Sequence, residues 1–425
     1  MAERLVQQPQ TVTAQKHFSQ LPAAEIERST FDRSAGYKTT FDAGQLIPFY
    51  VDEIVPGDTF KMNATLFIRL ATPLKPIMDN IQCDIHYFFV PNRLTWQNWE
   101  QFMGQRDRPD DDPSTLTLPK TILDTNAIGG NLADYFGIPV TSGAGATVAV
   151  NALPFRCYQL IYNEWYRDEN LDEPTTFTDG DDGGDYTTVG VRIRNKRKDY
   201  FTSALPWPQK GDPVYLPLGV SAPVLPNGLA PQFISEDDPL GYLYQPIGGG
   251  NNAGFTVDND NEAHAHFQSS GLFADLQEAT SATINDIRTS FQIQRMLERD
   301  ARGGTRYPEL VLSHFGVQSA DARMQRPEYI GGGTGQININ PVASTVADTD
   351  SPQGNLAATA TGVIKGGFNH SFTEHGYVIG IVSARADLTY QNGLERMWSR
   401  TTRYDFYWPT LAHLGEQAIL GKELF

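Results

Sequence analysis

The chain has 425 residues, enough for a sizeable core, and its 33 basic and 50 acidic residues give a formal net charge of −17 at pH 7. Such a chain does not attract phosphate at long range, so any contact with nucleic acid requires a local basic patch. The 38 glycines and 27 prolines indicate many turns and long loops, which favours an all-β scaffold. No apolar run reaches the roughly 20 residues that span a bilayer, and the first ten residues lack the apolar core of a signal peptide. We therefore expect a soluble protein made in the cytoplasm.

The N-terminal 50 residues carry weak patterns. Residues 1–27 are polar, and we predict an arm ordered only by its neighbours. Residues 29–49 mix aromatic residues with glycine and proline, which predicts an extended segment lying across a surface of the same subunit or of the next one.

Two strong strand signals follow. Polar and apolar residues alternate over 58–70, which predicts a strand with one buried face. Residues 84–90 are almost continuously apolar, which is typical of a strand covered on both sides. Pro73 and Pro76 between them remove backbone donors, so the connection joins neither strand. Residues 96–103 then predict a short amphipathic helix.

Asp107, Asp110, Asp111 and Asp112 form an acidic cluster in the next loop. Carboxylates can hold calcium, but the spacing is not that of an EF-hand, so a solvated loop is the alternative. Residues 153–169 predict an aromatic amphipathic helix. Its rings suit core or subunit-interface packing, with a sugar- or base-binding box as the alternative. The two cysteines, Cys83 and Cys157, adjoin predicted apolar elements, and we interpret them as small core residues.

Charge changes sign along the following segment. Residues 168–185 contain eight acids and no base, and a dense basic cluster comes seven residues later. Its members are Arg192, Arg194, Lys196, Arg197 and Lys198. One interpretation is contact with the phosphates of a nucleic acid; the other is pairing with the acidic run beside it.

Residues 213–267 are rich in Gly, Pro, Asn and Asp without period, and so long an irregular stretch indicates a functional loop. His264 and His266 within it could be metal ligands or a pH switch, or ordinary loop residues. Residues 271–302 carry the longest helical pattern. Its C-terminal part is apolar on two sides, which predicts a neighbouring subunit as a second partner.

The last third of the chain predicts mainly strands. Residues 305–341 predict a rigid connector leading into a strand at 336–340, and 341–361 predict a surface loop. The glycines of 331–335 precede a strand, with no Lys-Ser or Lys-Thr, which excludes a phosphate loop. Residues 377–388 and 404–408 predict further strands. No HExxH, Gly-x-Ser-x-Gly, paired CxxC or Walker motif occurs, and Glu374–His375 alone offers an adjacent acid and base, so we expect no enzyme.

Several of these segments together resemble the major capsid protein of the Microviridae, small icosahedral bacteriophages with single-stranded DNA, and in particular the gokushovirus-like branch. The resemblance lies in the turn at 56–58 with Phe60 and Met62, in 72–76, 88–93 and 96–103, and, in order along the chain, in 28–33 with Phe41 onward, 163–170, 200–211, 297–341 and 372–416.

The resemblance implies a mainly β fold, an eight-stranded antiparallel jelly-roll barrel whose long insertions carry a few helices. It implies one capsid domain over 1–425, with an N-terminal arm at about 1–27 and a variable surface insertion at about 218–268 that forms a protrusion at the threefold axis. The turn at Glu374–His375 would precede a barrel strand and have no catalytic role. Members of this branch run on beyond the matched region, so we expect that the chain ends early, without its last barrel strand.

The function implied by the resemblance is a T=1 icosahedral shell of sixty copies around a circular single-stranded DNA genome. The partners implied are the packaged DNA, a small basic internal protein and a receptor on the host surface. The protein would be part of the virion and be assembled in the bacterial cytoplasm.

Tryptophan dominates binding hot spots, so we expect Trp96, Trp99, Trp165, Trp207 and Trp408 at subunit contacts, with intramolecular packing as the alternative for each. Two other functions remain open at this point. One is a host-attachment or lectin-like β module that acts through 218–268. The other is a calcium-dependent enzyme that uses the aspartates of 110–112.

Overall fold

The computed structural model describes residues 27–73, 77–106, 108–109, 113–141, 145–215, 224–226, 232–235, 265–269, 272–274, 283–346, 353–387, 389–390, 393–412 and 417–424. The chain divides into two compact units, Met1–Thr40 and Phe41–Phe425. The described part of the first unit, residues 27–40, contains no helix or strand. The second unit is mainly β.

Twelve strands can be followed in the described part of the second unit. They are β1 (Ile47–Ile54), β2 (Thr59–Arg69), β3 (Ile81–Pro91), β4 (Lys120–Asp124), β5 (Thr147–Asn151), β6 (Val224–Pro226), β7 (Gln232–Ser235), β8 (Ala265–Ser269), β9 (Leu272–Ala274), β10 (Glu328–Ala343), β11 (Leu356–Ser371) and β12 (Gly376–Ala386). Six of them form one antiparallel sheet in the order β1-β12-β3-β10-β11-β2. The others pair as β4 with β5, β6 with β9 and β7 with β8.

The large sheet is curled, because its two edge strands are consecutive in the chain. Only residues 55–58 join β1 to β2. In a flat sheet of six strands the edges would lie about 24 Å apart, at roughly 4.8 Å per strand. The chain from Ile54 to Thr59 can reach at most about 18 Å. The edges therefore approach each other at this end, as in a β-barrel, and the backbone N–H of Phe372 donates to the carbonyl of Asp58 there at 2.9 Å.

Two apolar cores lie on the two faces of β3 and β12. Inside the curl, Cys83, Ile85 and Tyr87 of β3 pack with residues of the other strands of the sheet. On the opposite face, Phe88 and Val90 belong to a second core shared with the segment between β3 and β6. Strands β3 and β12 are thus covered on both faces, which explains the continuous apolar pattern of 84–90 in β3.

Among the described residues, five α-helices lie outside the sheet: α1 (Trp99–Phe102), α2 (Leu132–Tyr135), α3 (Leu153–Ile161), α4 (Ile284–Gly303) and α5 (Tyr307–Phe315). Helix α3 continues into a π-helical turn, Tyr162–Tyr166. It packs its apolar face into the second core through Phe155, Tyr158 and Ile161. The helix predicted at 153–169 is therefore confirmed over most of its length.

The strands predicted at 58–70 and 84–90 are confirmed as β2 and β3, and that at 377–388 as β12. In β2, exposed and half-buried residues alternate, as expected for one buried face. The short helix predicted at 96–103 is present as α1. Cys83 and Cys157 are buried free thiols, as predicted.

Three predictions from sequence are wrong. The helix of 271–302 begins only at Ile284, because Thr283 and Asp286 form a capping box there, and 272–274 form strand β9. Residues 403–405 form a 3-10 turn instead of the start of a strand, since Asp405 accepts hydrogen bonds from the backbone N–H groups of Thr401 and Thr402. The connector predicted at 305–341 contains a helix, Tyr307–Phe315, and from Glu328 strand β10, which includes and extends the strand predicted at 336–340; the loop predicted at 341–361 gives way to strand β11 at Leu356.

The insertion predicted at about 218–268 lies mostly outside the described residues, as do the arm before residue 27, residues 74–76 of the proline crossing and His264. Its described parts are strands, with β6 paired to β9 and β7 to β8, where the sequence predicted an irregular loop. Within β8, His266 pairs in register with Ile234.

Candidate nucleic-acid interface

The predicted basic cluster begins beside the edge of the large sheet. The backbone N–H of Leu46 donates to the carbonyl of Arg192 at 2.8 Å, and that of Arg194 donates to the carbonyl of Gly44 at 2.7 Å. Gln45 and Ile193 form the β-bridge between them. Residues 192–194 therefore extend the sheet just before β1, which fixes where their side chains point.

Tyr158 of helix α3 secures the same segment from the second core. Its hydroxyl donates to the carbonyl of Leu46 at 2.8 Å and accepts from the backbone N–H of Arg192 at 2.9 Å. Burial raises the pKa of this phenol far above its usual value, so the hydroxyl keeps its proton. The guanidinium of Arg192 lies 5.8 Å from the ring centroid of Tyr162.

Asp84 of β3 is the carboxylate at the centre of the cluster. Arg194 contacts its Oδ2 at 2.5 Å, Arg385 lies 3.9 Å from the same oxygen, and the hydroxyl of Thr334 donates to Oδ1 at 2.8 Å. Burial raises the pKa of Asp84, but the Thr334 hydrogen bond and the charge of Arg194 outweigh that effect, and the net pKa lies below its usual value. Asp84 is therefore ionised at neutral pH.

The other basic side chains of the cluster differ in how far they are neutralised. Lys198 pairs with Asp168, and Arg197 contacts Gln82 and lies 3.6 Å from Asp387. Lys196 is exposed and makes no ion pair or hydrogen bond with the described part of the chain. Pairing with the acidic run of 168–185 thus accounts for Lys198 alone, and the partners of Arg194 and Arg197 come from elsewhere in the sequence.

A cavity of about 540 Å³ opens beside this cluster. Six cationic side chains and three carboxylates line it: Arg167, Arg194, Lys196, Lys198, Arg306 and Arg385 against Asp168, Glu169 and Glu309. Four aromatic rings also line it, those of Phe88, Trp165, Tyr166 and Tyr329. The cavity therefore combines excess positive charge with ring faces.

The positive charge changes the proton affinity of groups at the cavity. Burial first, and then the charge of Arg194, lowers the pKa of His86 to about 4, so its imidazole is neutral at pH 7. His86 Nδ1 lies 2.7 Å from the hydroxyl of Tyr166. Burial and Arg194 likewise lower the pKa of Arg385 to about 10. In both groups burial is the larger cause and the charge of Arg194 adds to it.

Sequence reasoning missed the residues that organise this site. Asp84 was grouped with an apolar strand, although a lone acid in such a run is itself a signal that a buried cation lies nearby. Arg385 and Tyr329 come from two different strands, β12 and β10, and no spacing in the sequence relates them to 192–198. Only the order β12-β3-β10 brings them together.

The predicted interface tryptophans divide into three groups. Trp96 is completely buried, its indole N–H donating to Asp181 at 2.8 Å, and Trp99 is nearly so; both pack within the chain. Trp165 lies at the cavity, with its indole N–H donating to the carbonyl of Pro327. Trp207 and Trp408 keep exposed ring surface, and the prediction of a subunit contact applies best to these two.

The described residues offer little support for other kinds of site. Among the described residues no group of three or more His, Cys, Asp or Glu side chains could hold a metal ion. The calcium prediction for Asp107, Asp110, Asp111 and Asp112 lies outside the described residues. None of the described helices combines the length and the apolar character that crossing a bilayer requires.

Comparison with known proteins defines the class. The family described as capsid protein (F protein) matches residues 19–425. Capsid protein VP1 of Bdellovibrio phage phiMH2K is 48% identical over 429 residues, which cover 97% of this chain and 79% of the relative. Capsid protein VP1 of Chlamydia phage 1 is 42% identical, covering 96% and 79%, and that of Spiroplasma virus 4 is 36% identical, covering 96% and 78%.

The chain belongs to this family of viral capsid proteins. The resemblance to the Microviridae, gokushovirus-like branch, is thereby confirmed. The protein is a structural major capsid protein and a component of the virion, associating with its own copies in a shell, and it is not an enzyme.

Proposed function

We propose that sixty copies of this protein form a T=1 icosahedral shell that encloses a circular single-stranded DNA genome. The observation that carries the proposal is the family match over 19–425, which includes the whole curled sheet. The sheet is the natural framework of an eight-stranded jelly roll, in which the chain from 1 to 425 acts as one capsid domain with an arm at about 1–27. Assembly takes place in the bacterial cytoplasm.

The surface insertion and the net charge of the subunit each support a further partner. The insertion at about 218–268 leaves the framework between β5 and α4 and forms the threefold protrusion that contacts the host receptor. The net charge of −17 makes the subunit a poor neutraliser of a genome by itself, so a small basic internal protein supplies most of the counter-charge.

The basic segment of 192–198 is the part of this subunit that contacts the packaged strand. Two structural observations support this: the backbone of the segment hydrogen-bonds to residues 44–46, and Lys196, which has no partner among the residues that the structure describes, is exposed beside the exposed Arg197. Contacts of this type are electrostatic, so they weaken as the salt concentration rises. For single strands, the logarithm of the binding constant falls with the logarithm of the salt concentration by about 0.7 per phosphate contacted.

Assembly tests the shell. When the protein is expressed together with the other structural proteins of its phage, negative-stain microscopy should reveal closed particles of uniform size that contain nuclease-protected circular single-stranded DNA. Small oligomers that bind cells or glycans and never close would contradict the proposal and would instead favour an attachment module.

The DNA contact is tested separately with Arg197→Glu, because Arg197 does not line the cavity. Binding of a fluorescent oligothymidylate to the purified full chain should weaken, and its salt slope should fall by about 0.7. Lys365→Glu is the matched control, since Lys365 is an exposed lysine on β11. Equal binding by both variants and the unaltered chain would contradict a role for 192–198.

A further inference from the structure

One wall of the cavity is a set of aromatic rings that contact one another. The ring centroid of Phe88 lies 5.5 Å from that of Trp165 and 5.6 Å from that of Tyr329. Trp165 and Tyr329 are 6.1 Å apart, and both are only partly buried. Arg326 lies over the Trp165 ring, 4.4 Å from its centroid, and the remaining surface of Trp165 and Tyr329 lines the cavity. A planar ring is the kind of group that stacks on such a surface.

The other wall carries cations that the protein does not fully neutralise. Lys198 is paired with Asp168, and Arg306 with Glu169 and Glu309. Arg194 holds Asp84 at 2.5 Å, which leaves Arg385 at 3.9 Å from the same oxygen. Lys196 is exposed without a partner in the described part of the chain. At least two positive charges are therefore available to an anion.

Donors without an acceptor lie at the same wall. Among the described residues, the Nε groups of Arg167 and Arg385 are buried without a hydrogen-bond acceptor, while Nη1 of each donates to a backbone carbonyl, that of Asp172 and that of Asn195 respectively. A buried donor without an acceptor costs about 1–3 kcal/mol, so such groups normally have a partner.

We propose that this cavity binds one nucleotide unit of a DNA single strand, with the base against Trp165 and Tyr329 and the phosphate against Arg385 and Lys196. The inference rests on the proposed contact between 192–198 and DNA, and it adds that the contact includes a built pocket. The volume of about 540 Å³ is within the range of small-ligand sites, about 300–1,000 Å³. Because every base has a stacking face, the pocket should accept all four bases with little preference.

Thymidine monophosphate and inorganic phosphate are the probes for the purified full chain. We expect the mononucleotide to quench the fluorescence of Trp165, a signal absent from Trp165→Phe, and to bind more tightly than phosphate. Tyr329→Leu should weaken mononucleotide binding at least fivefold, the lower end of the effect of losing about one base–aromatic stack. Lys196→Glu should weaken both probes, whereas Lys365→Glu should weaken neither.

The experiments distinguish the nucleotide pocket from the DNA contact of 192–198 on which it rests. If oligothymidylate binding depends on Arg197 but Tyr329→Leu has no effect and Trp165 is not quenched, the strand lies outside the cavity and the pocket is refuted. Equal binding of phosphate and mononucleotide would leave an anion site without a base and would also refute it. If Tyr329→Leu unfolds the chain, Lys196→Glu and the Trp165 signal still decide, because Lys196 is exposed and Trp165→Phe keeps an aromatic ring.

Discussion

At the scale of single residues, the central sheet contains a charge where its neighbours are apolar. Asp84 is almost fully buried, and its ionised carboxylate is stabilised by Arg194 and by the hydroxyl of Thr334. Removing one member of such a buried pair leaves the other charge without compensation, which costs far more than the loss of a surface pair.

We expect Asp84→Asn to lower the free energy of unfolding by about 3 kcal/mol or more. Its matched control is Asp387→Asn, which removes a pair with Arg197 whose side chains are both exposed and should cost less than about 1 kcal/mol. Chemical denaturation of the purified subunit measures both. Equal effects would mean that Asp84 is not the buried counter-ion that the geometry indicates.

His86 makes stability depend on acid. Its pKa is about 4 in the folded chain against about 6.5 when unfolded, so the unfolded state binds more protons between these values. Stability is therefore full above pH 6.5 and is lost as the pH falls toward 4, by about 2 kcal/mol between pH 7 and pH 5. His86→Gln should reduce this dependence, measured by denaturation at several pH values.

The control for His86 is His370→Gln, which alters a partly exposed histidine of β11 in the same sheet. If His370→Gln removes as much of the pH dependence as His86→Gln does, the acid sensitivity does not arise at the cavity. An NMR titration of the imidazole of His86 gives a direct measurement of the same quantity.

At the scale of secondary-structure elements, the glycines of β10 and β11 let three strands approach closely. A Cβ placed on Gly333 would lie 2.2 Å from the carbonyl oxygen of Lys365 and 2.8 Å from the Cα of Gly366. Both atoms belong to the backbone of the neighbouring strand and cannot move aside alone. The glycine-rich run is therefore required by strand packing. This structural role accounts for the glycines of 331–335 without a phosphate loop.

Gly333→Ala should destabilise the subunit by at least about 1–3 kcal/mol, the usual cost of overpacking, because the strand must separate from β11. Gly190→Ala is the control, since nothing lies within 4 Å of its added Cβ. Thermal unfolding followed by circular dichroism compares the two variants. An unchanged midpoint for Gly333→Ala would contradict the close approach of β10 and β11.

These elements also indicate where prediction from sequence succeeds. Strands β2, β3 and β12 were predictable because burial on one or both faces leaves a clear pattern of apolar residues. Strand β11 was not predictable, since its buried positions include the small Ala358 and Ala360, and a segment of small and polar residues resembles a surface loop. The basic half of the candidate site was visible as a run of charges, whereas Asp84, Arg385 and Tyr329 meet only through strand order.

At the scale of the whole molecule, a subunit with 50 acidic residues needs apolar surface to associate with its copies. Helices α4 and α5 expose such surface: Phe291 is 60%, Leu312 51% and Phe315 78% accessible. Ile293 and Met296, on which the sequence prediction of a neighbouring subunit at the end of the long helix rests, are exposed as well. That contact stays a prediction.

Phe315→Glu should therefore block or slow particle formation while leaving the subunit folded, because the side chain has few contacts to lose within its own chain. Phe315→Leu is the matched control and should still assemble. Sedimentation analysis counts particles and free subunits, and circular dichroism checks the fold. Normal particles from Phe315→Glu would mean that this end of α5 faces solvent in the virion.

The two edge strands of the large sheet, β1 and β2, which a four-residue link joins, affect how copies of this protein associate. A strand edge with free backbone groups invites addition of further strands without limit, the route to fibrils. Here residues 192–194 occupy the approach to β1, and the other edge strand presents the charges of Lys61 and Arg69. Strand addition at these edges of the large sheet is therefore disfavoured, and association through shape-matched side chains can stop at a defined size.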